Sequence, residues 1–177
     1  MLELIVESAY MYLIVLVLAL LEIQIEGQYP WAEKLPTWRK KIKGFNKDIS
    51  GYHFFLATFV LLLFHLPFVF GLELTIHNEF KILSIIVLIS VTEDFLWNLV
   101  NPSPKFGIIN FKKNYAPFIN GFIISFPIDY YLSIGISLIF AYIADEMFWW
   151  IFNFMIFTTI TALFAAGRYY KDLKTSN

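Results

Sequence analysis

Two adjacent carboxylates, Glu93 and Asp94, sit near the end of the apolar run SVTEDFLWNLVNP, Ser90 to Pro102; two more, Glu22 and Glu26, lie one helical turn apart in LLEIQIEG. With His53 they form a set suited to acid/base chemistry or to holding a hard divalent cation through oxygen ligands. Glu93, Asp94 and His53 are the candidate catalytic groups, and Glu22 and Glu26 the candidate metal ligands, joined by Glu93 or Asp94. Asn98 and Asn101 follow Asp94 at one and two turns along its stripe, with Trp97 beside them. These three, with Trp38 and Arg39 from an upstream segment, are candidate substrate contacts. Carboxylates at helical spacing repel. A bound cation, shared protons or basic side chains folding back from the Lys34 to Lys47 segment must therefore offset them.

The elements that position these residues are membrane helices. A composition of 59% hydrophobic, 20% aromatic and 15% charged residues in 177 exceeds what a soluble domain can hide. A hydrocarbon core of about 30 Å requires on the order of 20 helical residues. Five segments meet this, at roughly 4–25, 52–72, 80–100, 123–143 and 147–167, so an all-α, five-helix transmembrane bundle forming a single domain over 1–177 is expected. The leader MLELIVES carries Glu3 and Glu7 in place of a basic region, so the first helix is expected to be retained. With no cysteine, disulfides and thiolate metal sites are excluded.

Orientation follows from basic residues, which short cytoplasmic loops retain. The loop 27–50 holds Lys34, Arg39, Lys40, Lys41, Lys43 and Lys47, whereas ELTIHNE has none. The third connection has Lys105, Lys112 and Lys113, the fourth is the acidic ADE, and the tail has Arg168, Lys171 and Lys174. The alternation predicts five spans, with the N-terminus outside, the C-terminus cytoplasmic and the protein in the plasma membrane. Pro127 is expected to open the fourth helix and place Asp129 in its first turn, leaving 114–126 as an interfacial, re-entrant or spanning segment. Glu22, Glu26, His53, Glu93, Asp94 and Asp129 then share one depth beneath the cytoplasmic headgroups.

Plainer roles compete at each position. Glu22 and Glu26 suit a helix end in headgroup water, Asp129 a dipole-favoured cap, and His53 an interfacial position. His65, beside Pro67, suits a structural role on a carbonyl freed by the proline. Glu93 and Asp94 resist such readings, because Phe95, Leu96, Trp97, Leu99 and Val100 continue the apolar run past them. A charge in mid-span costs about 2.5 to 3.5 kcal/mol and by default marks function.

The elements EGQYPWAEKLPTW and EDFLWNLVNP, including Glu26, Gly27, Trp31, Leu35, Pro36, Trp38, Glu93, Asp94, Trp97, Asn101 and Pro102, resemble a group of small polytopic membrane proteins of unassigned activity. TEDFLW is also similar to the acidic helix of membrane lycopene cyclases, where neighbouring carboxylates protonate an isoprenoid. Val91 and Thr92 stand where that motif has its proline, so the similarity implies chemistry only.

No phosphate loop, metal-spaced histidine pair or nucleophile elbow is present. Three classes remain: an enzyme acting on a lipid or isoprenoid substrate from the cytoplasmic leaflet, an ion- or proton-coupled transporter or channel, and a non-catalytic scaffold. An enzyme predicts a pocket at the acidic end lined by Glu26, His53, Asp94, Trp97 and Asn101. A transporter predicts a second polar constriction near Glu7 or His65, although the outer half of helices three to five reads as almost purely apolar. Trp31, Trp38 and the surrounding lysines favour anionic headgroups. Membrane lipids are the expected partners, with no nucleic acid and with the oligomeric state open.

Overall fold

The computed structural model describes residues 1–41, 48–107, 118–119 and 126–175. It is all-helical: α1 Leu2–Glu26, α2 Gly51–Val69, α3 Ile76–Val100, α4 Ile128–Ile143 and α5 Met147–Thr175. Two short antiparallel ladders accompany them, β1 (Arg39–Lys40) on β2 (Ile49–Ser50) and β3 (Phe118–Ile119) on β4 (Phe126–Pro127). α1, α2, α3 and α5 are long and apolar enough to cross a membrane. α4, at 16 residues, is about 24 Å long at 1.5 Å per residue, short of the ~30 Å core. It begins at Ile128 and not at 123, with Pro127 at its N-cap and Asp129 in its first turn. Most of 114–126, and Lys43, Lys47, Lys112 and Lys113, lie outside the described residues.

Local chemistry sets the helix ends. Ser50 and Thr75 accept hydrogen bonds from the backbone N–H of His53 and Asn78, capping α2 and α3. The α4–α5 turn closes with Glu146 N–H donating to the Ala141 carbonyl (2.9 Å) and Asp145 N–H to that of Tyr142 (3.1 Å), with Asp145 left-handed at φ 54°. His65 Nδ1 reaches the Leu61 carbonyl at 2.6 Å. It therefore serves the carbonyl one turn back, not the Leu63 carbonyl that Pro67 deprives of its donor.

The interior is organised around α3, which packs on α1, α4 and α5, while α2 touches it only lightly. Val15, Ala19, Leu88, Ile89, Leu96 and Phe157 are buried in one cluster, and Tyr12 meets Phe157 edge-on at 5.5 Å. The outward face carries large apolar side chains, including Phe55, Phe59, Leu62, Ile139 and Met155, the pattern of a membrane-embedded protein.

Helices α3 to α5 are less apolar inside than their sequence suggests. Ser84 and Ser137 each donate to the other's backbone carbonyl at 2.8 Å, and Trp150 Nε1 donates to Ser137 Oγ at 2.7 Å. At the end away from Glu22, Lys81 pairs with Glu146 (2.7 Å), Trp149 Nε1 donates to Glu7 (3.0 Å) and His65 meets Glu79 (3.2 Å). Single serines in long apolar runs look incidental until two helices place them opposite each other.

Phe157→Ala should cost about 3 to 5 kcal/mol by opening a void in a site with little room to collapse. Phe59→Ala, on the outward face, should stay within about 0.5 kcal/mol. Reversible unfolding in detergent would compare the two.

Candidate functional site

Glu22 and Glu26 are buried on the inner face of α1, which also carries Tyr12, Val15, Ala19 and Ile23. The chain leaves α1 at Gly27 and turns back through Trp31 and Ala32, both left-handed at φ 65° and 53°. Neither is glycine, so this turn carries a conformational cost that surrounding contacts must offset. The turn aims successive N–H groups at one target: Ala32 N–H, with Trp31 N–H beside it, donates to the Glu26 carboxylate. Consecutive backbone donors form a nest for an anion.

α2 supplies the imidazole. Its Ser50 cap also hydrogen-bonds His53 Nδ1 at 2.7 Å, which leaves Nε2 facing α1, 3.5 Å from Glu26 Oε1 and 3.8 Å from Glu22 Oε1. Trp31 lies over the His53 ring at 4.7 Å between centroids, 31° from parallel. β1–β2 brings this helix start to α1, helped by Thr37 Oγ1 accepting from Tyr52 N–H (3.0 Å). The packing is close: a Cβ on Gly51 would stand 2.5 Å from Trp38 Nε1 and 2.8 Å from Thr37 Oγ1, so only glycine fits.

α3 completes the group. Glu93 turns toward α1, where it meets Glu22, and Tyr52 approaches the same carboxylate from α2. Neither Glu93 Oε1 nor the Tyr52 hydroxyl has a hydrogen-bond partner of normal geometry, although both atoms are buried. Asp94, the next residue, points to α4 and accepts from the Tyr130 hydroxyl, while remaining near enough for its charge to act on both α1 glutamates.

The candidate substrate contacts do not all converge. Trp97 is buried edge-on against Phe106 at 4.8 Å, and Asn98 accepts from Gly107 N–H at 2.8 Å. Trp97 Nε1 and Asn98 Nδ2 are further buried donors with no partner. Asn101 donates to the Gly27 carbonyl at 2.8 Å, tying the end of α3 to the end of α1. Trp38 packs on Gly51 and Phe54, and Arg39 donates to the Trp31 and Ala32 carbonyls. Asp129 is exposed in the first turn of α4.

Among the described residues, Glu22, Glu26 and His53 form the one group of three acidic or imidazole side chains whose ligand atoms lie close enough, within 4.8 Å of one another, to hold a single ion. No lysine or arginine among the described residues pairs with Glu22 or Glu26, and Arg39 donates to the Trp31 and Ala32 carbonyls. Among the described residues, four of the five buried side-chain atoms without partners belong to Tyr52, Glu93, Trp97 and Asn98, at this same end. Buried polar atoms are normally paired, by water or an ion where protein does not serve.

Arg168, which reads in sequence as a topology signal, is a structural clamp. Its guanidinium donates to the carbonyls of Leu99, Asn101, Ser103 and Phe106 and pairs with Asp172 at 2.9 Å. Gly107, at φ 106°, passes so close that a Cβ would meet Asp172 Oδ2 at 2.8 Å and Arg168 Nε at 2.9 Å. The four-residue spacing of Arg168 and Asp172 was the available hint. Tyr52 and Tyr130 carried no such signal, because their roles depend on which helices meet.

Comparison with protein-family models, with curated proteins and with solved structures finds no match for this chain.

Arg168→Lys keeps the charge but not the fork, so it should release carbonyls at the end of α3. Amide exchange in residues 101–107 should quicken about tenfold or more, equivalent to about 1.4 kcal/mol, with α1 and α2 unchanged. Exchange mass spectrometry in detergent reads this directly.

Proposed function

We propose that the protein is a membrane enzyme that holds a divalent cation between Glu22, Glu26 and His53 and acts on a lipid-borne substrate reached from the cytoplasmic leaflet. The observation that carries the reading is the convergence of these three side chains within 4.8 Å, with Glu93 presenting an unpartnered oxygen beside them. Two carboxylates, an imidazole and a third carboxylate within reach are a donor set of the oxygen and nitrogen type that divalent cations select. The Ser50 contact on Nδ1 orients the imidazole and the backbone nest holds Glu26, as outer partners do around metal ligands. A cation so bound would polarise a phosphoryl or carbonyl oxygen. Glu93 then serves as the proton acceptor or donor, Tyr52 as a neighbouring hydroxyl, and Asp94, fixed by Tyr130, keeps the site negative enough to retain the ion.

Transport, the alternative, has one observation in its favour: Glu7, His65, Glu79, Lys81 and Glu146 lie at the far end, where Glu7 and Lys81 line a cavity of about 250 Å³. Between Tyr12 and Glu22, however, α1 presents only Val15 and Ala19 to the interior, both fully buried against Leu88, Ile89 and Phe157. That is about 15 Å of dry packing, and it favours two separate polar ends over one path.

In this reading the chain crosses the membrane five times, with the loop 27–50 and the end of α5 in the cytoplasm. Cysteines introduced singly at Lys41, Asn78 and Thr175 test the orientation in intact cells: an impermeant reagent should label position 78 and spare 41 and 175. Labelling at 41 without 78 reverses the topology.

Purified protein should bind Mn²⁺ or Zn²⁺ at one site, more tightly as pH rises, because the ligands must shed protons. Glu26→Gln or His53→Ala should weaken binding about 100-fold or more, since even outer-shell partners cost ten- to a hundredfold. Titration calorimetry checks this. Asp94→Asn should leave the protein folded and change cellular lipid composition; unchanged lipids together with absent metal binding would leave the scaffold reading.

A further inference from the structure

A groove of about 490 Å³ runs between the 36–38 segment and the first two turns of α2, walled by Pro36, Trp38, Tyr52, Phe55 and Leu56. Most of its polar groups are already committed. Thr37 Oγ1 accepts from Tyr52 N–H, Gly51 N–H donates to the Trp38 carbonyl at 2.8 Å, and the Tyr52 hydroxyl is directed inward to Glu22. Apart from the Trp38 indole N–H, what remains is ring and aliphatic surface, with Trp38 and Phe55 exposed, which suits a hydrocarbon chain. At the rim the character reverses. Arg39, Lys40 and Lys41 are consecutive and exposed, and Arg39 is anchored on the Trp31 and Ala32 carbonyls.

We propose that this groove seats one chain of an anionic phospholipid of the bilayer, with its phosphate held by Arg39 to Lys41. The charge complementarity at the rim selects the occupant, and Tyr52, which lines the groove and approaches Glu22, stands between the groove and the carboxylate site. The inference deepens the enzyme reading and rests on it for the role of the lipid as substrate. The binding itself stands on the groove.

The test uses the full chain in nanodiscs containing phosphatidylglycerol or phosphatidylcholine with a photoactivatable group on one acyl chain. Mass spectrometry should place the phosphatidylglycerol crosslinks on Trp38, Phe55 and Leu56, above those on Phe59 and Leu62 farther along α2. Each of Arg39→Gln, Lys40→Gln and Lys41→Gln should cut the preference over phosphatidylcholine by up to about fivefold. Leu56→Trp should block the groove in protein whose Mn²⁺ binding is unchanged. Equal labelling by both lipids, or labelling spread evenly along α2, overturns the proposal. Loss of metal binding with intact selective labelling would sink the enzyme reading and leave the groove.

Discussion

Three carboxyl groups, Glu22, Glu26 and Glu93, are drawn together with the His53 imidazole beside them, and the bundle is arranged around that crowding. Buried carboxylates demand donors, and apolar helices supply almost none, since their backbone N–H groups are spent internally. The chain meets the demand from outside the helices. A turn with two left-handed residues brings backbone donors to Glu26, and a two-residue ladder carries the Ser50–His53 cap onto α1. Without the carboxylates the strained turn would have no target, and α2 would lose one of its polar tethers to the bundle.

That attachment matters because α2 is otherwise weakly held. Gly51 is its one fully buried residue, and its long aromatic face looks outward. Its two ends are fixed by polar contacts of the same chemical type, His53 to the α1 glutamates and His65 to Glu79 on α3. The other three long helices behave differently: α1, α3 and α5 share a continuous apolar cluster, with Ser84, Ser137 and Trp150 joining α3, α4 and α5. The protein thus has a packed body and one tethered stave, and the carboxylate site lies at the seam between them.

Much of this was legible in the sequence. Apolar runs and their lengths located four membrane-scale helices, because hydrophobic length is a property of one segment. Glu22, Glu26 and His53 could be brought together on paper because helical spacing and loop direction place them at one depth. What escaped depends on contacts between distant segments. Glu93 and Asp94 are neighbours, yet one faces α1 and the other Tyr130, a division that only helix rotation decides. Trp97, Asn98 and Asn101 lie on the expected stripe, and their contacts with Phe106, Gly107 and Gly27 depend on how the segments after α3 and α1 fold back. Arg168 carried a charge that topology alone explained, which concealed its grip on four carbonyls.

That grip has a bearing on how the chain is made. α1, α2 and α3 emerge from the ribosome before α5, and the carbonyls at the end of α3 receive their donors from a residue 67 positions beyond Asn101. At about 5 to 20 residues per second, several seconds of synthesis separate the two. During that interval the carbonyls at the α3 terminus lack the Arg168 donors, so the last helix to arrive is the one that locks the end of α3 in place. The carbonyls at the end of α3 are therefore satisfied only once α5 docks, after the helices that carry the acids have already been made.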